Sequence, residues 1–268
     1  AIDRGCGYED LEQAAAACDV IVLATPIRRI IELISRLARA ALAPGAIVTD
    51  VGSTKALILK GADELLPPEA AFIGGHPMAG AEKSGVAAAD PFLFQNAIYI
   101  VVPPPCPATG AYRRFLELLR PLGARAVELD AQTHDEVVAA ISHLPQMIAT
   151  GLVRMVDQLQ SSRPVFLPLA AGGFRDLTRI ASSRFDPVWR DICATNADQI
   201  RLMLERYAGV LADLRGRLPD LEADFATANS VRDSIPRDAK GFLHRLFELL
   251  VVAEDRPGVL AEIAGALA

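Results

Sequence analysis

The sequence predicts an α/β fold in its first half and an all-α fold in its second, and three observations support this. Short β-branched runs alternate with helical patterns over residues 19–129, as they do in sheets joined by crossover helices. Beyond Asp130, apolar residues recur at helical spacing over long stretches. The runs that end at Thr25-Pro26, Asp50-Val51-Gly52-Ser53 and Gly74-Gly75-His76 would meet at one edge of a parallel sheet, where open α/β sheets bind ligands.

Local patterns define the elements of the first region. Residues 19–26 are rich in β-branched side chains and end at a proline, which suits a strand buried on both faces. The isoleucines that follow recur at helical spacing. In chain order, the sequence predicts strands at 19–26, 46–51, 71–73, 97–102 and 126–129, and helices at 27–37, from Ser53 or Thr54 to about 65, and at 112–119.

The second region is predicted to hold long helices. One spans residues 134–159 despite an internal proline, one is opened by Pro187 and reaches about residue 218, and a shorter one covers 221–234. Residues 236–241 are a predicted polar linker, 246–253 a weakly alternating strand, and 259–268 the start of a helix. We therefore expect domains at 1–130, 131–235 and 241–268.

Composition excludes several classes of function. The 27 basic and 33 acidic residues are scattered and give a net charge of −6, so no basic footprint for nucleic acid is present. No apolar run approaches the roughly 18 residues of a membrane helix, and no signal peptide is visible. The cysteines form no C-x-x-C pair and have no histidines at zinc spacing, which predicts free thiols in the cytoplasm and no metal; they are Cys6, Cys18, Cys106 and Cys193.

A dinucleotide fingerprint is missing from the sequence. No G-x-G-x-x-G follows a strand, and Gly5-Cys6-Gly7 lacks both the strand and the third glycine. Either the sheet binds no dinucleotide, or the first βαβ unit lies upstream of Ala1. The start at Ala1, without methionine and within a polar segment, favours the second explanation.

His76 is the first candidate for chemistry. It stands in a glycine-rich segment, 74–85, that we expect to be a loop after a strand, with glycines that let backbone approach a ligand. A neutral imidazole held by a hydroxyl such as Ser53 would accept the proton of an alcohol as hydride leaves. The alternatives are a loop histidine bonded to backbone and a serine that only caps a helix.

Two further polar clusters interrupt apolar helical sequence. In the first, Ser142 and Gln146 lie one helical turn apart and could face a pocket together, while packing or capping is the commoner role for His134 and His143. In the second, Arg175 and Arg179 share a helix face at i,i+4 spacing.

Arginine binds a carboxylate with two hydrogen bonds, which suits a small dicarboxylic substrate. An exposed charged face is the alternative for the arginines. Trp189, the single tryptophan, is expected to pack between helices.

Together these clusters resemble the prephenate/arogenate dehydrogenase family of tyrosine biosynthesis. The resemblance rests on four motifs: Asp50-Val51-Gly52-Ser53-Thr54-Lys55, the segment from Gly74-Gly75-His76-Pro77 to Gly85, Ser142-His143-Leu144-Pro145, and Gly172 to Arg179 followed by Trp189-Arg190-Asp191-Ile192. It implies a Rossmann-type nucleotide domain whose first βαβ unit is missing, then a helical dimerisation domain. The tail around Asp255-Arg256-Pro257-Gly258 resembles the opening of an ACT domain.

The resemblance implies NAD-dependent oxidative decarboxylation of prephenate to 4-hydroxyphenylpyruvate by a homodimer. His76 would take the proton of the ring hydroxyl and Ser53 would orient His76. Arg179 would clamp a substrate carboxylate. The other implied site residues are Glu82, Asp176 and Trp189, which gate or shape the pocket, Ser142, His143 and Gln146 near the substrate side chain, and Thr25, Pro26 and Gly52 at the nicotinamide end of the cofactor.

Several alternatives stay open at this level. Arogenate differs from prephenate by an amino in place of a keto group, and no motif separates the two substrates. NADP is not excluded, and feedback by tyrosine would depend on the ACT-like tail. A different class of function is a non-catalytic dimerisation and tyrosine-sensing piece, which would not bind the cofactor tightly.

Overall fold

A five-stranded sheet forms the centre of the first region in the computed structural model, which describes residues 5–80, 89–105, 110–235, 251, 253, 256 and 258–267. Its strands, in spatial as well as chain order, are β1 (Val20–Leu23), β2 (Ile47–Asp50), β3 (Ala71–Pro77), β4 (Ile98–Val102) and β5 (Arg125–Glu128). β1, β2 and β3 are parallel, as predicted, so their carboxyl ends share one edge. β4 is antiparallel to β3, and β5 is parallel to β4. The sheet is therefore mixed, and the expectation of one parallel sheet is correct only for its first three strands.

Helices cover both faces of this sheet. α1 (Leu11–Ala16), α2 (Ile27–Leu37), α3 (Ala56–Leu65) and α4 (Gly110–Leu119) belong to this region. Apolar residues of α2 recur at i, i+3 and i+7, and Ile27, Ile30 and Ile34 are buried in one core cluster. α4 packs through Phe115 into a second cluster. The polar ends of the strands lie between these layers at the carboxyl edge.

The second region is helical, as the spacing predicts. Its first helix begins at α5 (Ala131–Val138), passes through one π-helical turn at Ala139–His143 and continues as α6 (Leu144–Ser162). Asp130 caps α5 by accepting from the backbone N–H of Gln132 at 3.0 Å and of Thr133 at 2.9 Å. That cap explains why the helix starts three residues before the predicted 134.

The prediction of one continuous helix from Pro187 to residue 218 is wrong in one respect. The structure forms α8 (Arg190–Thr195) and α9 (Ala197–Gly216), which are separated at Asn196 by a non-helical backbone with φ −124° and ψ 28°. The Asn196 side chain is used in the site described below, which explains the break. The remaining helices are α7 (Gly172–Thr178), α10 (Glu222–Ser234) and α11 (Val259–Leu267); the predicted linker and most of the predicted strand at 246–253 lie outside the described residues.

Polar contacts and a shared core join the two regions. The Asp191 carboxylate accepts from the backbone N–H of Arg28 at 3.0 Å and pairs with the Arg28 Nε at 3.2 Å. The hydroxyls of Thr54 and Thr195 are 2.8 Å apart. Ile192 packs into the same cluster as α2. The helical region therefore rests directly on the carboxyl edge of the sheet.

The helical stretch Ala131–Ser162 is long and apolar enough to cross a bilayer by composition alone, which corrects the expectation that no apolar run approaches that length. It is the one such stretch in the part of the chain that the structure describes. His134, Asp135 and His143 on this stretch are buried and hydrogen-bonded to protein groups. We therefore interpret it as a helix that packs against the rest of the protein through its polar, buried side chains.

Candidate active site

His76 lies in strand β3 and not in a loop, which corrects the expectation for this segment. The two preceding glycines are explained by packing. A Cβ on Gly75 would stand 2.5 Å from the Asp50 carbonyl oxygen, and a Cβ on Gly74 would stand 2.9 Å from Leu59 Cδ1. Gly74 and Gly75 therefore let β3 pack against protein atoms, and the approach of a ligand to the glycine-rich segment stays a prediction.

A chain of three side chains ends at His76. His76 Nδ1 and His134 Nε2 are 2.8 Å apart, and His134 Nδ1 and Asp135 Oδ1 are 2.7 Å apart. His134 is completely buried and Asp135 nearly so. His134 is the hydrogen-bond partner of His76 Nδ1 in the described structure, where Ser53 makes no hydrogen bond to His76. The orienting role of Ser53 stays a prediction.

Asp135 is itself held by backbone groups. Its carboxylate accepts from the backbone N–H of Lys55 at 2.8 Å and of Ala56 at 3.0 Å, at the N-terminus of α3. Its carbonyl oxygen accepts from Asn196 Nδ2 at 2.8 Å. A carboxylate at a helix N-terminus is stabilised by the unpaired N–H groups and the helix dipole. Asp135 thus joins α5 to the sheet region.

A buried ion pair lies beneath the same strand. Lys55 Nζ pairs with Asp50 Oδ2, and both side chains have zero exposure. Lys55 Nζ also donates to the Gly75 carbonyl oxygen at 2.7 Å. Burial lowers the pKa of Lys55, while the Asp50 charge opposes that shift. Sequence reasoning missed this pair, although a lysine in so apolar a context is itself a signal.

The surroundings of His76 favour its neutral form. Burial lowers its pKa well below the ordinary 6.5, and His134, Lys55 and His143 lower it further. The imidazole is therefore uncharged at neutral pH. An uncharged imidazole is able to accept a proton, which is the property that the sequence analysis expected of it.

His76 lines a cavity of about 520 Å³ that extends along the face of the sheet beside α4. Ser53 lines the same cavity, and its walls include Thr49 and the aromatic rings of Phe94 and Tyr99. The volume suits a small organic ligand. His76 thus faces a largely apolar chamber with few polar groups.

The three predicted cofactor residues come together in a neighbouring cavity. Thr25, Pro26 and Gly52 line a space of about 270 Å³ together with Ser53 and Asp191. The Oγ1 of Thr25 is buried and has no hydrogen-bond partner among the described residues. A buried hydroxyl without a partner is uncommon in folded proteins, so this side chain fits a polar group of a bound cofactor such as a nicotinamide amide.

In the cluster predicted around Ser142, His143 and Gln146, two of the three side chains are buried. His143 is buried, its Nδ1 lies 3.3 Å from Asn196 Nδ2, and its ring meets Trp189 edge-on at 5.9 Å between centroids. Burial lowers the pKa of His143 to about 4. Gln146 is buried and donates to Thr150 at 3.5 Å, while Ser142 is partly exposed. Trp189 packs between elements, as expected from its size.

The remaining predicted residues are not brought beside His76 by the described contacts. Asp176 lines a different, mainly apolar groove of about 820 Å³ between α6, α7 and α9. Arg179 is exposed and begins a 3-10 turn, so it does not continue the α-helix that carries Arg175. Glu82 lies outside the described residues.

Sequence reasoning did not select His134, Asp135, Lys55 or Asn196 for the site. The signal that was available is a histidine followed by an aspartate at the start of a long apolar helix. Side chains of that polarity need partners when they are buried. Their partners come from the ends of β2 and β3, the start of α3 and the break between α8 and α9, which no local pattern reveals.

Comparison with known proteins identifies related molecules. The chain matches the model described as prephenate dehydrogenase, nucleotide-binding domain, over residues 1–128, and the model described as prephenate dehydrogenase, dimerization domain, over residues 130–228. It is 38% identical over 253 residues to the prephenate dehydrogenase of Bacillus subtilis, with 92% of this chain and 68% of that protein covered.

Two solved structures have similar folds. The Synechocystis arogenate dehydrogenase superposes with a TM-score of 0.74 at 30% identity and covers 84% of this chain and 81% of its own. The Aquifex aeolicus prephenate dehydrogenase, solved with hydroxyphenyl propionate and NAD+, superposes with a TM-score of 0.76 at 26% identity and covers 87% of this chain and 81% of its own.

Proposed function

The chain belongs to the prephenate dehydrogenase family, and on that premise we propose that it catalyses the NAD-dependent oxidative decarboxylation of prephenate to 4-hydroxyphenylpyruvate. The observation that carries the proposal is the neutral His76, which stands at the wall of a small-molecule cavity beside the cavity of Thr25, Pro26 and Gly52. Oxidation of a hydroxyl requires a base that takes the proton and a cofactor that takes the hydride. Ser53 lines both cavities, so the base and the cofactor cleft are neighbours.

His76 receives the proton of the ring hydroxyl in this scheme. The carbon that bears the hydroxyl loses a hydride, the bond to the ring carboxylate breaks to release carbon dioxide, and the electron pair of that bond enters the ring. Bound NAD supplies the hydride acceptor. The apolar walls around Phe94 and Tyr99 exclude water, which strengthens the interactions inside the site.

The other site residues keep the roles that the resemblance implies. Arg179 and Glu82 bind and gate the carboxylated substrate, with Asp176 and Trp189 shaping the pocket. Ser142, His143 and Gln146 lie near the substrate side chain. For His143 and Trp189, support comes from their ring contact and from Asn196, which connects His143 to Asp135. Asp176 lines the groove between α6, α7 and α9, so its role in the pocket is proposed from the resemblance alone.

Arogenate is a second candidate substrate, because the similar Synechocystis structure is an arogenate dehydrogenase. NADH formation measured with prephenate and with arogenate, at saturating NAD, tests both. A ratio of kcat/KM above about tenfold, or roughly 1.4 kcal/mol of discrimination, identifies the preferred substrate. Absence of NADH formation with both would overturn the proposed activity.

A homodimer is the expected assembly, and it would form through the helical region. Large apolar side chains are exposed there: Met155 is 51% exposed on α6, Leu177 68% on α7 and Leu211 48% on α9. Contiguous apolar surface of this kind marks a protein interface. The apolar face of α6 and α9 is then buried against a second copy.

Two finer proposals concern setting and control. The reaction is placed in the cytoplasm, where Cys6, Cys18 and Cys193, which are free in the structure, remain thiols. Feedback by tyrosine is assigned to the tail. Tyrosine titrated against activity, with and without residues beyond 236, tests this, and equal inhibition of both forms would move the control to the active site.

A further inference from the structure

We propose that Asp135 and His134 are positioning residues that fix the tautomer of His76, with the hydrogen on Nδ1 and the free lone pair on Nε2. The proposal deepens the proposed function and rests on it for one point, that Nε2 of His76 is the atom that accepts the substrate proton. The tautomer itself follows from two hydrogen bonds in series, from His134 to Asp135 and from His76 to His134.

The first step is the polarity of Asp135. A carboxylate only accepts hydrogen bonds, and this one already accepts from the backbone N–H groups of Lys55 and Ala56. The 2.7 Å contact between Asp135 Oδ1 and His134 Nδ1 therefore has the imidazole as its donor. His134 Nδ1 carries a hydrogen.

The second step is the state of the other nitrogen of His134. The ring is completely buried, and the charge of Asp135 is already offset by two N–H groups at the N-terminus of α3. A neutral imidazole has one donor nitrogen and one acceptor nitrogen, and its single hydrogen is already placed on Nδ1. His134 Nε2 is accordingly an acceptor.

The third step is the direction of the hydrogen bond between His134 and His76. Because His134 Nε2 accepts, the 2.8 Å contact has His76 Nδ1 as its donor. The two rings are held edge to face, with centroids 5.0 Å apart and planes at 62°, so the contact also fixes the ring orientation. His76 Nε2 is left with its lone pair directed away from His134.

The charged and titratable groups that act on His76 are His134, Lys55 and His143. Lys55 is bonded to Asp50 and to the carbonyl of Gly75, and His143 takes its hydrogen bond from Asn196. None of these bonds competes for His76 Nδ1. The tautomer is therefore set through His134 alone among the described residues.

Nitrogen-15 NMR of histidine-labelled protein measures the tautomer without any need for turnover. The chain has four histidines, so single variants assign the signals. In the unaltered protein we expect the Nδ1-protonated form of His76. In His134→Leu the Nδ1 hydrogen loses its acceptor and the signal moves toward the Nε2-protonated form; His134→Gln keeps an acceptor and retains the Nδ1-protonated form at least in part.

Asp135→Asn tests whether the Asp135 carboxylate determines which nitrogen of each histidine carries the hydrogen. An amide donates as well as accepts, so both histidines lose their bias. Glu136→Gln is the matched control, since Glu136 is the next residue on α5 and its exposed carboxylate lies 3.7 Å from Arg206. We expect the control to leave the His76 signal unchanged. An Nε2-protonated His76 in the unaltered protein, or no change in His134→Leu, would overturn the proposal.

Kinetics separate this proposal from the proposed function. In His134→Leu, kcat for prephenate should fall by about 10- to 100-fold, which is less than the roughly 10²- to 10⁴-fold contribution of the general base itself, while KM changes little. His134→Gln should recover part of that loss, which a merely structural role would not predict. If the tautomer is as proposed but no NADH forms with the unaltered protein, the proposed function is wrong and the tautomer assignment stands. If NADH forms but His76 is protonated on Nε2, only the tautomer assignment is wrong.

Discussion

Lys55 Nζ donates to the carbonyl oxygen of Gly75 at 2.7 Å, one residue before His76 in β3. The same ammonium is paired with Asp50, and both side chains have zero exposure. Removal of one partner leaves a buried charge without compensation. The backbone that carries His76 is therefore held by a charged group beneath it.

Lys55→Met should lower the free energy of unfolding by about 3–5 kcal/mol, because the Asp50 carboxylate would stay buried without its cation. Urea denaturation measures the change. Lys60→Met is the matched control: Lys60 is 68% exposed and lies 3.9 Å from Glu64, so its loss should cost less than about 1 kcal/mol. Equal midpoints for the two variants would show that the buried pair is dispensable.

Stability should fall as the pH falls from 6.5 toward 4 because of His143. Burial lowers its folded-state pKa from 6.5 to about 4, so the unfolded chain takes up the proton first. The contribution of the neutral His143 to the free energy of unfolding is complete above pH 6.5. It is lost as the pH falls through the folded-state pKa of about 4, and the total loss is roughly 3 kcal/mol at most. In His143→Gln this part of the pH dependence should vanish; an unchanged pH dependence would contradict the assignment.

Thr25→Val should weaken NAD binding without loss of stability. The Thr25 hydroxyl has no partner among the described residues, so the valine removes no internal hydrogen bond. A lost hydrogen bond to the cofactor would raise Kd by about 5- to 10-fold, or roughly 1 kcal/mol. Calorimetry measures the affinity, with Thr227→Val on α10 as the control. Equal NAD affinity in Thr25→Val would place this hydroxyl outside the cofactor site.

Leu211→Glu should convert the homodimer to a monomer. Leu211 is 48% exposed and lines the apolar groove between α6, α7 and α9, where a buried carboxylate would be costly. Light scattering during size-exclusion chromatography reports the mass. Leu65→Glu is the control, since Leu65 is equally apolar and 43% exposed on α3. A dimer that survives Leu211→Glu but not Leu65→Glu would move the interface to the sheet region.

The order of strands and helices could be predicted from the sequence because each depends on local periodicity. β-branched runs and the isoleucine spacing of α2 are visible without a structure. The direction of β4 could not be predicted, because residues 97–102 show the same pattern whichever way the strand runs. The break at Asn196 was also hidden, since its side chain binds a carbonyl of α5 that is 61 residues away.

The candidate site was predictable where its residues follow successive parallel strands, and not where it depends on single contacts between distant helices and strands. Thr25, Gly52 and His76 stand at successive strand ends, so the parallel order of β1 to β3 brings them to one edge. His134 was expected to be structural because nothing in the helical pattern identifies its partner. Its bond to His76 spans 58 residues, and only tertiary packing creates it.

The carboxylate of Asp135 has a consequence for motion as well as for chemistry. One of its oxygens holds both the backbone of Lys55 in the sheet region and the ring of His134 in the helical region. A hinge rotation that opened the two regions would carry α5, and with it the acceptor for the Nδ1 hydrogen of His76, away from β3. The polarity of the base therefore depends on the packing of the two regions against each other.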